Sequence, residues 1–298
     1  DLTWEKTAMY NAAIDFAVLK NRLEFSLEAY YSKTTDLLLS VQLPTQTGFS
    51  SRYTNIGATE NKGVEFSITS HNFKRKNFSW STTLTIAHNR QKVLDTGSND
   101  FISAYSTPTN NSYMMYGYVN GYPLNALWGF KFAGVWHTQD QIDRNKETKA
   151  YVSRASNTYK PGYAYYVDTN HDGTLNEDDL VYLGSADPII YGGLQNTFHI
   201  YKFRVSVFFN YSLGGKIYNL SELWMAGSSY TNQYRYMLNA WHPTRNPNAD
   251  IPAAYRSDEL PSSFMLHDAS YIRLKNISLG YTFDLRKKTK HLRDITVS

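Results

Sequence analysis

The sequence predicts an all-β protein in which an antiparallel up-and-down transmembrane β-barrel segment carries long extracellular loops. Three observations predict this fold class. Apolar and polar residues alternate with a period of two, no helical apolar stripe exceeds two turns, and short connections alternate with long ones. A period of two places one face of each strand in apolar surroundings and the other in polar surroundings.

Strand candidates follow from this alternation and are joined in pairs by short turns. Leu23, Phe25 and Leu27, for example, alternate with Glu24 and Ser26. The expected strands span about 10–20, 22–33, 61–71, 77–90, 190–200, 203–213 and 269–283, and another begins after the basic turn at 286–291.

The connections between the pairs favour a membrane barrel over a soluble sandwich, whose strands would alternate in the same way. Long connections are expected at 34–60, 91–189 and 214–268. Outer-membrane barrels combine short periplasmic turns with long extracellular loops, whereas irregular loops longer than about 15 residues are uncommon in compact domains. We therefore expect polar faces, such as that of Glu24 and Glu28, to line a lumen and apolar faces to meet lipid.

Composition excludes several other classes of protein. The 298 residues contain no apolar run that approaches a membrane-spanning helix, which needs roughly 20 such residues. A net charge of +4 is too mild to indicate a nucleic-acid partner. Without any cysteine, disulfides and thiolate catalysis are excluded, and the scattered histidines form no catalytic motif. We do not expect an enzyme.

The two ends of the sequence suggest an interior piece of a longer chain. The first residues lack the basic and apolar regions of a signal peptide. The last residues, 293–298, have the pattern of a strand that is just beginning.

Several sequence blocks also follow one another in a familiar order. They are 2–7, 30–38, 55–57 with 61–65, 121–124 with 128–130, 188–194 and 269–281. Together these blocks resemble SusC/RagA-type TonB-dependent transporters of the Gram-negative outer membrane, and they cover nearly the whole chain.

The resemblance implies that 1–298 is a partial barrel domain, from the C-terminal part of a plugged barrel of about 22 strands, without the plug. It implies a multi-pass location in the outer membrane, energy supplied by TonB through the missing N-terminal region, and a SusD-like surface lipoprotein as partner. The implied cargo is a glycan or oligosaccharide, or a peptide. The alternative is a secreted, calcium-stabilised carbohydrate-binding β module.

One polar segment has the spacing of a calcium-binding loop. Oxygen donors fall at positions 1, 3, 5, 7, 9 and 12, with Gly173 at position 6, where the chain must turn sharply. The expected Ca²⁺ ligands are Asp168, Asn170, Asp172, Thr174 through its carbonyl, Asn176 and Asp179. No amphipathic helices flank the loop, so a structural ion is favoured over a calcium sensor. The alternative is a turn without metal, since Asp, Asn and Gly favour turns.

Aromatic residues in the long connections are a second candidate site, for ligand or partner contact. Flat rings with polar edges suit sugar faces and protein surfaces. The candidates are Tyr116, Tyr118, Tyr122, Trp128, Trp224, Tyr234 and Trp241. We expect Trp128 to lie in a hairpin from Leu127 to Trp136. The alternative is that these rings pack the loops together or form the interfacial belt of a barrel.

Overall fold

A computed structural model describes residues 2–42, 51–97, 102–105, 116–145, 159–225, 232–254, 260–284 and 294–297. The chain divides into two compact units: a sheet unit (Asp1–Ser98, Asp187–Gly215, Ala269–Ser298) and a loop unit (Asn99–Ala186, Lys216–Asp268). The strands are β1 (Lys6–Val18), β2 (Leu23–Gln42), β3 (Ser51–Arg75), β4 (Phe78–Thr96), β5 (Ile102–Tyr105), β6 (Tyr116–Tyr118), β7 (Ala126–Gly129), β8 (Phe132–Val135), β9 (Ala164–Tyr166), β10 (Val181–Ser185), β11 (Ile190–Ile200), β12 (Phe203–Leu213), β13 (Lys216–Tyr218), β14 (Leu266–Asp268), β15 (Tyr271–Asp284) and β16 (Asp294–Val297).

Helical structure is minor in these described ranges. It is confined to α1 (Gln139–Arg144), α2 (Leu220–Met225) and 3₁₀ turns at Glu177–Asp179, Arg235–Asn239 and Ser263–Met265. None of the helices in the described part of the chain has the length and apolar character needed to cross a membrane.

The sheet unit is one antiparallel sheet of eight strands in the order β1-β2-β3-β4-β11-β12-β15-β16. Neighbours in sequence mostly pair as neighbours in space, and short turns join β1 to β2, β3 to β4 and β11 to β12. This is the meander expected from the alternation, and it confirms the all-β, up-and-down class.

Strand register sorts the side chains of this sheet into an apolar face and a polar face. One row of directly paired residues crosses seven strands on the apolar face: Phe16, Phe25, Ile68, Leu84, Leu194, Phe209 and Leu274. The adjacent row on the polar face is Asp15, Ser26, Ser67, Thr85, Gly193, Asn210 and Arg273. The alternation seen along each strand therefore continues across seven of the eight strands.

The apolar face is exposed rather than covered. Ile277 and Leu279 on β15 are 62% and 60% exposed, and Phe16 on β1 is 47% exposed. A water-soluble protein rarely leaves so continuous an apolar surface open.

The first long connection is shorter than expected at 34–60. Strands β2 and β3 remain paired out to Gln42 and Ser51, so only 43–50, which lie outside the described residues, join them. The register shifts between Thr34 and Leu37, and Asp36 has a positive φ of 58°. Such a β-bulge interrupts the side-chain alternation without ending the strand, which is why the pattern resembles a loop.

The loop unit holds small sheets instead of irregular chain. Strands β5, β6, β7 and β10 form a four-stranded sheet in the order β10-β7-β6-β5, while β8 pairs with β9 and β13 with β14. The expected hairpin from Leu127 to Trp136 is wrong, because β7 pairs with β10 and β6 whereas β8 pairs with β9. Three buried clusters are found among the described residues of this unit, and the one with most members is formed by Phe130, Ala164, Tyr166, Leu175 and Leu260.

Candidate functional site

The segment 168–179 folds as a tight loop between β9 and β10, with its turn where the sequence places it. Gly173 has a positive φ of 82° and His171 one of 58°. The Gly173 N–H donates to Asp168 Oδ2 at 2.8 Å, and the Thr174 N–H donates to Asp172 Oδ1 at 2.7 Å. Asn170 Oδ1 accepts from the Asp172 N–H at 3.0 Å. Side-chain oxygens of Asp168, Asn170 and Asp172 therefore hold the backbone of the turn in place.

Asp179 closes this loop from its far end. Its side chain is fully buried. Oδ1 accepts from the Thr169 N–H at 2.7 Å, and Oδ2 accepts from the Asn176 N–H at 2.9 Å. Asn176 in turn caps the 3₁₀ turn at Glu177–Asp179 by accepting from the Asp178 N–H. Positions 9 and 12 of the calcium pattern are thus held by the local backbone.

The charge of Asp168 is incompletely compensated. Its side chain is buried, with 5% of the residue exposed, and Oδ1 has no hydrogen-bond partner among the described residues. A buried carboxylate oxygen without a partner is costly, and a cation beside it would remove that cost. However, no group of three His, Asp or Glu side chains in the described part of the chain already converges as a metal site. Ion binding would therefore require Asn170 and Asp172 to exchange hydrogen bonds within the loop for the ion.

Leu175 anchors the loop, although it was not among the residues expected to matter from the sequence. It is 1% exposed and belongs to the cluster with Phe130, Tyr166 and Leu260. The signal was a single apolar residue between the polar positions Thr174 and Asn176. The loop is therefore attached to the core of the loop unit through this side chain.

The aromatic candidates in the connection 91–189 contribute mainly to packing. Trp128 is 7% exposed, and its Nε1–H donates to the Gly117 carbonyl at 3.2 Å. Its ring meets Tyr122 edge-on at 4.9 Å and Tyr182 at 5.9 Å. Tyr118 is half-buried on β6. The side chain of Tyr116, on the same strand, lies outside the described residues.

Two of the aromatic candidates in the connection 214–268 lie at one cavity. Tyr234 and Trp241 both line a space of about 940 Å³ within the loop unit. Tyr234 stacks on Tyr236, with ring centroids 5.6 Å apart. Trp224 lies on α2, and its side chain is outside the described part of the chain.

Three basic or titratable residues in the same cavity were not expected. Arg235, His242 and Arg245 line it together with the two aromatic rings. Their signal in the sequence is the run of basic and aromatic residues over 234–245, which contains no acidic residue.

Sequence comparison relates the chain to TonB-dependent receptors. It is 34% identical, over 96% of its length, to TonB-dependent receptor P26 of Formosa agariphila. Over 99% of its length it is 28% identical to TonB-dependent receptor SusC of Bacteroides thetaiotaomicron. The chain spans only 28% of each of these curated relatives. No protein-family model matches it.

Structural comparison agrees on the fold. The chain aligns over 98% of its length with the structure of the RagAB peptide transporter, with a TM-score of 0.74 and 23% identity. The alignment covers 30% of the transporter chain. The whole chain also aligns with the structure of the RagAB peptide importer in its open-open state, with a TM-score of 0.73 and 22% identity. This alignment covers 32% of the importer chain. At these identities the likeness shows the fold alone.

These matches confirm the resemblance to SusC/RagA-type TonB-dependent receptors and the fold of a barrel segment. The expected outer-membrane location and the expectation that the chain is not an enzyme agree with these relatives, which are named as receptors.

Proposed function

We propose that this chain forms part of the barrel wall of an outer-membrane transporter of the SusC type, which imports oligosaccharides together with a SusD-like surface lipoprotein. The observation that carries the proposal is the sorting of the eight-stranded sheet into an exposed apolar face and a polar face. The relatives named TonB-dependent receptor support it.

In this proposal the two faces of the sheet have different roles. The apolar row from Phe16 to Leu274 contacts hydrocarbon, and the burial of its side chains in lipid stabilises the strands. The polar row from Asp15 to Arg273 borders a water-filled lumen through which cargo passes.

Oligosaccharide cargo is favoured over peptide by the aromatic side chains of the loop unit. Tyr234 and Trp241 are half-buried and border a cavity, and flat rings of this kind pack well against sugar faces. The likeness to a peptide transporter keeps peptide as the second candidate cargo.

A secreted carbohydrate-binding module fits the sheet unit less well. Such a module buries its apolar residues between two packed sheets, whereas the described residues of the sheet unit form one sheet. The exposed Ile277 and Leu279 are where a second sheet would have to lie.

Fractionation and uptake test the transport proposal. We expect the receptor that contains this chain to sediment with outer membranes, to co-purify with a lipoprotein, and to be required for uptake of fluorescent oligosaccharides. Recovery in the soluble fraction, or normal oligosaccharide uptake after gene deletion, would contradict the proposal.

We also propose that the loop 168–179 binds Ca²⁺ as a structural ion. The donors are carboxylate oxygens of Asp168, Asp172 and Asp179, amide oxygens of Asn170 and Asn176, and the Thr174 carbonyl, which are the hard oxygen ligands that Ca²⁺ prefers. The buried, unpartnered Oδ1 of Asp168 supports the proposal. When bound, the ion would neutralise this carboxylate and stiffen the loop.

Calorimetric titration with Ca²⁺ tests the metal proposal. We expect binding heat from the receptor and its loss in Asp168→Asn. Asp178→Asn is the matched control, because Asp178 is an exposed residue of the same loop outside the ligand set. Equal heats from both variants and the wild type would contradict the proposal.

A further inference from the structure

The cavity beside the 3₁₀ turn Arg235–Asn239 has the size of a small-molecule site. Its volume is about 940 Å³, and ligand pockets commonly measure about 300–1,000 Å³. Every described residue that lines it lies between 233 and 254. The cavity is therefore formed within the loop unit by one continuous stretch of chain.

Backbone contacts fix the aromatic wall of this cavity. The Trp241 N–H donates to the Ile251 carbonyl at 2.8 Å, and the Ala253 N–H donates to the Gly162 carbonyl at 2.8 Å. Gly162 has a φ of +92°, and a Cβ there would lie 2.6 Å from the Trp241 ring. The indole thus packs directly on a glycine that has no room for a side chain, so its position is set before any ligand arrives.

A buried cluster supports Tyr234, the other aromatic residue of the cavity. Met237 and Ala240 are each 7% exposed, and Tyr234, Tyr236 and Ala254 pack against them. The stacking of Tyr234 on Tyr236, with an interplanar angle of 13°, orients the Tyr234 ring. The cavity therefore offers ring surfaces that are already positioned.

The charged side chains among the described residues that line the cavity are all basic. Arg235 and Arg245 line it, and no Asp or Glu is among the described residues that do so. In the part of the chain that the structure describes, neither arginine takes part in an ion pair. Two guanidinium groups without carboxylate partners attract an anion, which arginine binds through paired N–H donors.

His242 adds a further donor to this positive wall. Its Nδ1 accepts from the backbone N–H groups of Thr244 and Arg245, each at 3.3 Å. In the neutral ring this arrangement places the proton on Nε2. The N–H donor of this residue, which lines the cavity together with the two arginines, is then Nε2.

We infer that this cavity binds an acidic sugar, a uronate unit of an oligosaccharide. The sugar ring lies against Tyr234 and Trp241, and its carboxylate is held by Arg235 and Arg245. A neutral sugar would use the rings but leave both guanidinium groups unmatched, whereas an acidic peptide would use the charges but not the flat ring surfaces. The inference rests on the proposed import of oligosaccharides and names the class of sugar.

Binding measurements on the detergent-purified receptor test this inference. The probes are trigalacturonate, maltotriose as a neutral sugar of equal length, and triglutamate as an acidic peptide. We expect trigalacturonate to bind more tightly than both other probes. We expect Arg245→Gln and Arg235→Gln each to weaken trigalacturonate binding about tenfold or more, since a charge-assisted hydrogen bond is lost.

Arg144→Gln is the matched control, because Arg144 is in the same unit but pairs with Asp140 on α1, at 2.9 Å. It should bind trigalacturonate as the wild type does. No binding of trigalacturonate, equal binding of maltotriose, tighter binding of triglutamate, or no effect of either cavity arginine would overturn the inference. If the inference is overturned but the receptor still imports neutral oligosaccharides, the transport proposal stands. Recovery of the receptor in the soluble fraction, or normal uptake after gene deletion, contradicts the transport proposal and not the binding of a uronate in this cavity.

Discussion

Glu28 on β2 stands directly opposite Glu65 on β3, and the preceding pair, Leu27 and Phe66, stands opposite on the other face of the same two strands. Like charges in direct cross-strand contact are destabilising, so this pair requires good solvation. Asn11 Nδ2 donates to Glu28 Oε1 at 2.6 Å. Consecutive residues of the same strand thus lie on a face that requires water and on a face that avoids it.

The two faces should respond in opposite ways to the same charge. Leu27→Arg places a guanidinium on the apolar face, which we expect to destabilise the barrel by about 2–4 kcal/mol if the site is near the bilayer centre. Glu28→Arg is the control, since on the polar face it replaces a repulsion with Glu65 by an attraction. Heat-modifiability on gels measures both, and equal behaviour of the two variants would contradict the assignment of the faces.

A glycine on β3 makes room for an aromatic ring on the polar face. Gly63 is paired with Tyr30, and a Cβ on Gly63 would meet the Tyr30 ring at 2.5 Å and the His88 carbonyl at 2.7 Å. The Tyr30 hydroxyl donates to Asn89 Oδ1 at 3.1 Å.

Gly63→Ala should therefore cost about 1–3 kcal/mol through overpacking. Ser67→Ala, on the same strand and face, should cost much less. The temperature at which the barrel unfolds on gels measures both changes. An unfolding temperature for Gly63→Ala equal to that of Ser67→Ala would show that the ring does not need this space.

Calcium should protect the loop unit from proteolysis. An ion at Asp168 and Asp179 would join both ends of a loop whose Leu175 is part of the core. We expect chelation with EGTA to speed cleavage in 159–185 and Ca²⁺ to slow it again. Asp168→Asn should make cleavage insensitive to Ca²⁺, whereas Asp178→Asn should behave as wild type. Calcium-independent cleavage of the wild type would contradict the metal site.

The glycine behind Trp241 should control the sugar site without touching the charges. Gly162→Ala adds a Cβ in contact with the indole and must also adopt a φ of +92°, a strained conformation for an alanine. We expect weaker binding of trigalacturonate with both cavity arginines in place. Circular dichroism checks that the barrel remains folded, and unchanged affinity would show that the position of Trp241 is unimportant.

Local patterns were sufficient where the relevant contacts are local. Strands β11 and β12 were predicted to the residue, because a two-residue turn at Tyr201 joins two stretches with strand character. The calcium-like turn at Gly173 was likewise readable from its spacing.

Contacts between distant segments could not be predicted in this way. Trp128 pairs with Tyr182 on β10, more than fifty residues later, instead of within a hairpin. The bulge at Asp36 breaks the alternation although pairing continues. Arg235 and Arg245 can be recognised as part of a ligand site only once Trp241 is seen to pack on Gly162. The sequence does not indicate this contact.

Spin labels on β15 test most directly whether one face of the sheet meets lipid and the other meets water. Single cysteines can be placed at 276–279 in a receptor without other cysteines, and this chain contains none that would have to be replaced. Asn276 and Ser278 lie on the polar face, and Ile277 and Leu279 on the apolar face. In the receptor reconstituted in lipid, labels at 277 and 279 should be accessible to oxygen, and labels at 276 and 278 to a water-soluble nickel complex. Accessibility without this alternation, or nickel access at 277 and 279, would contradict the account.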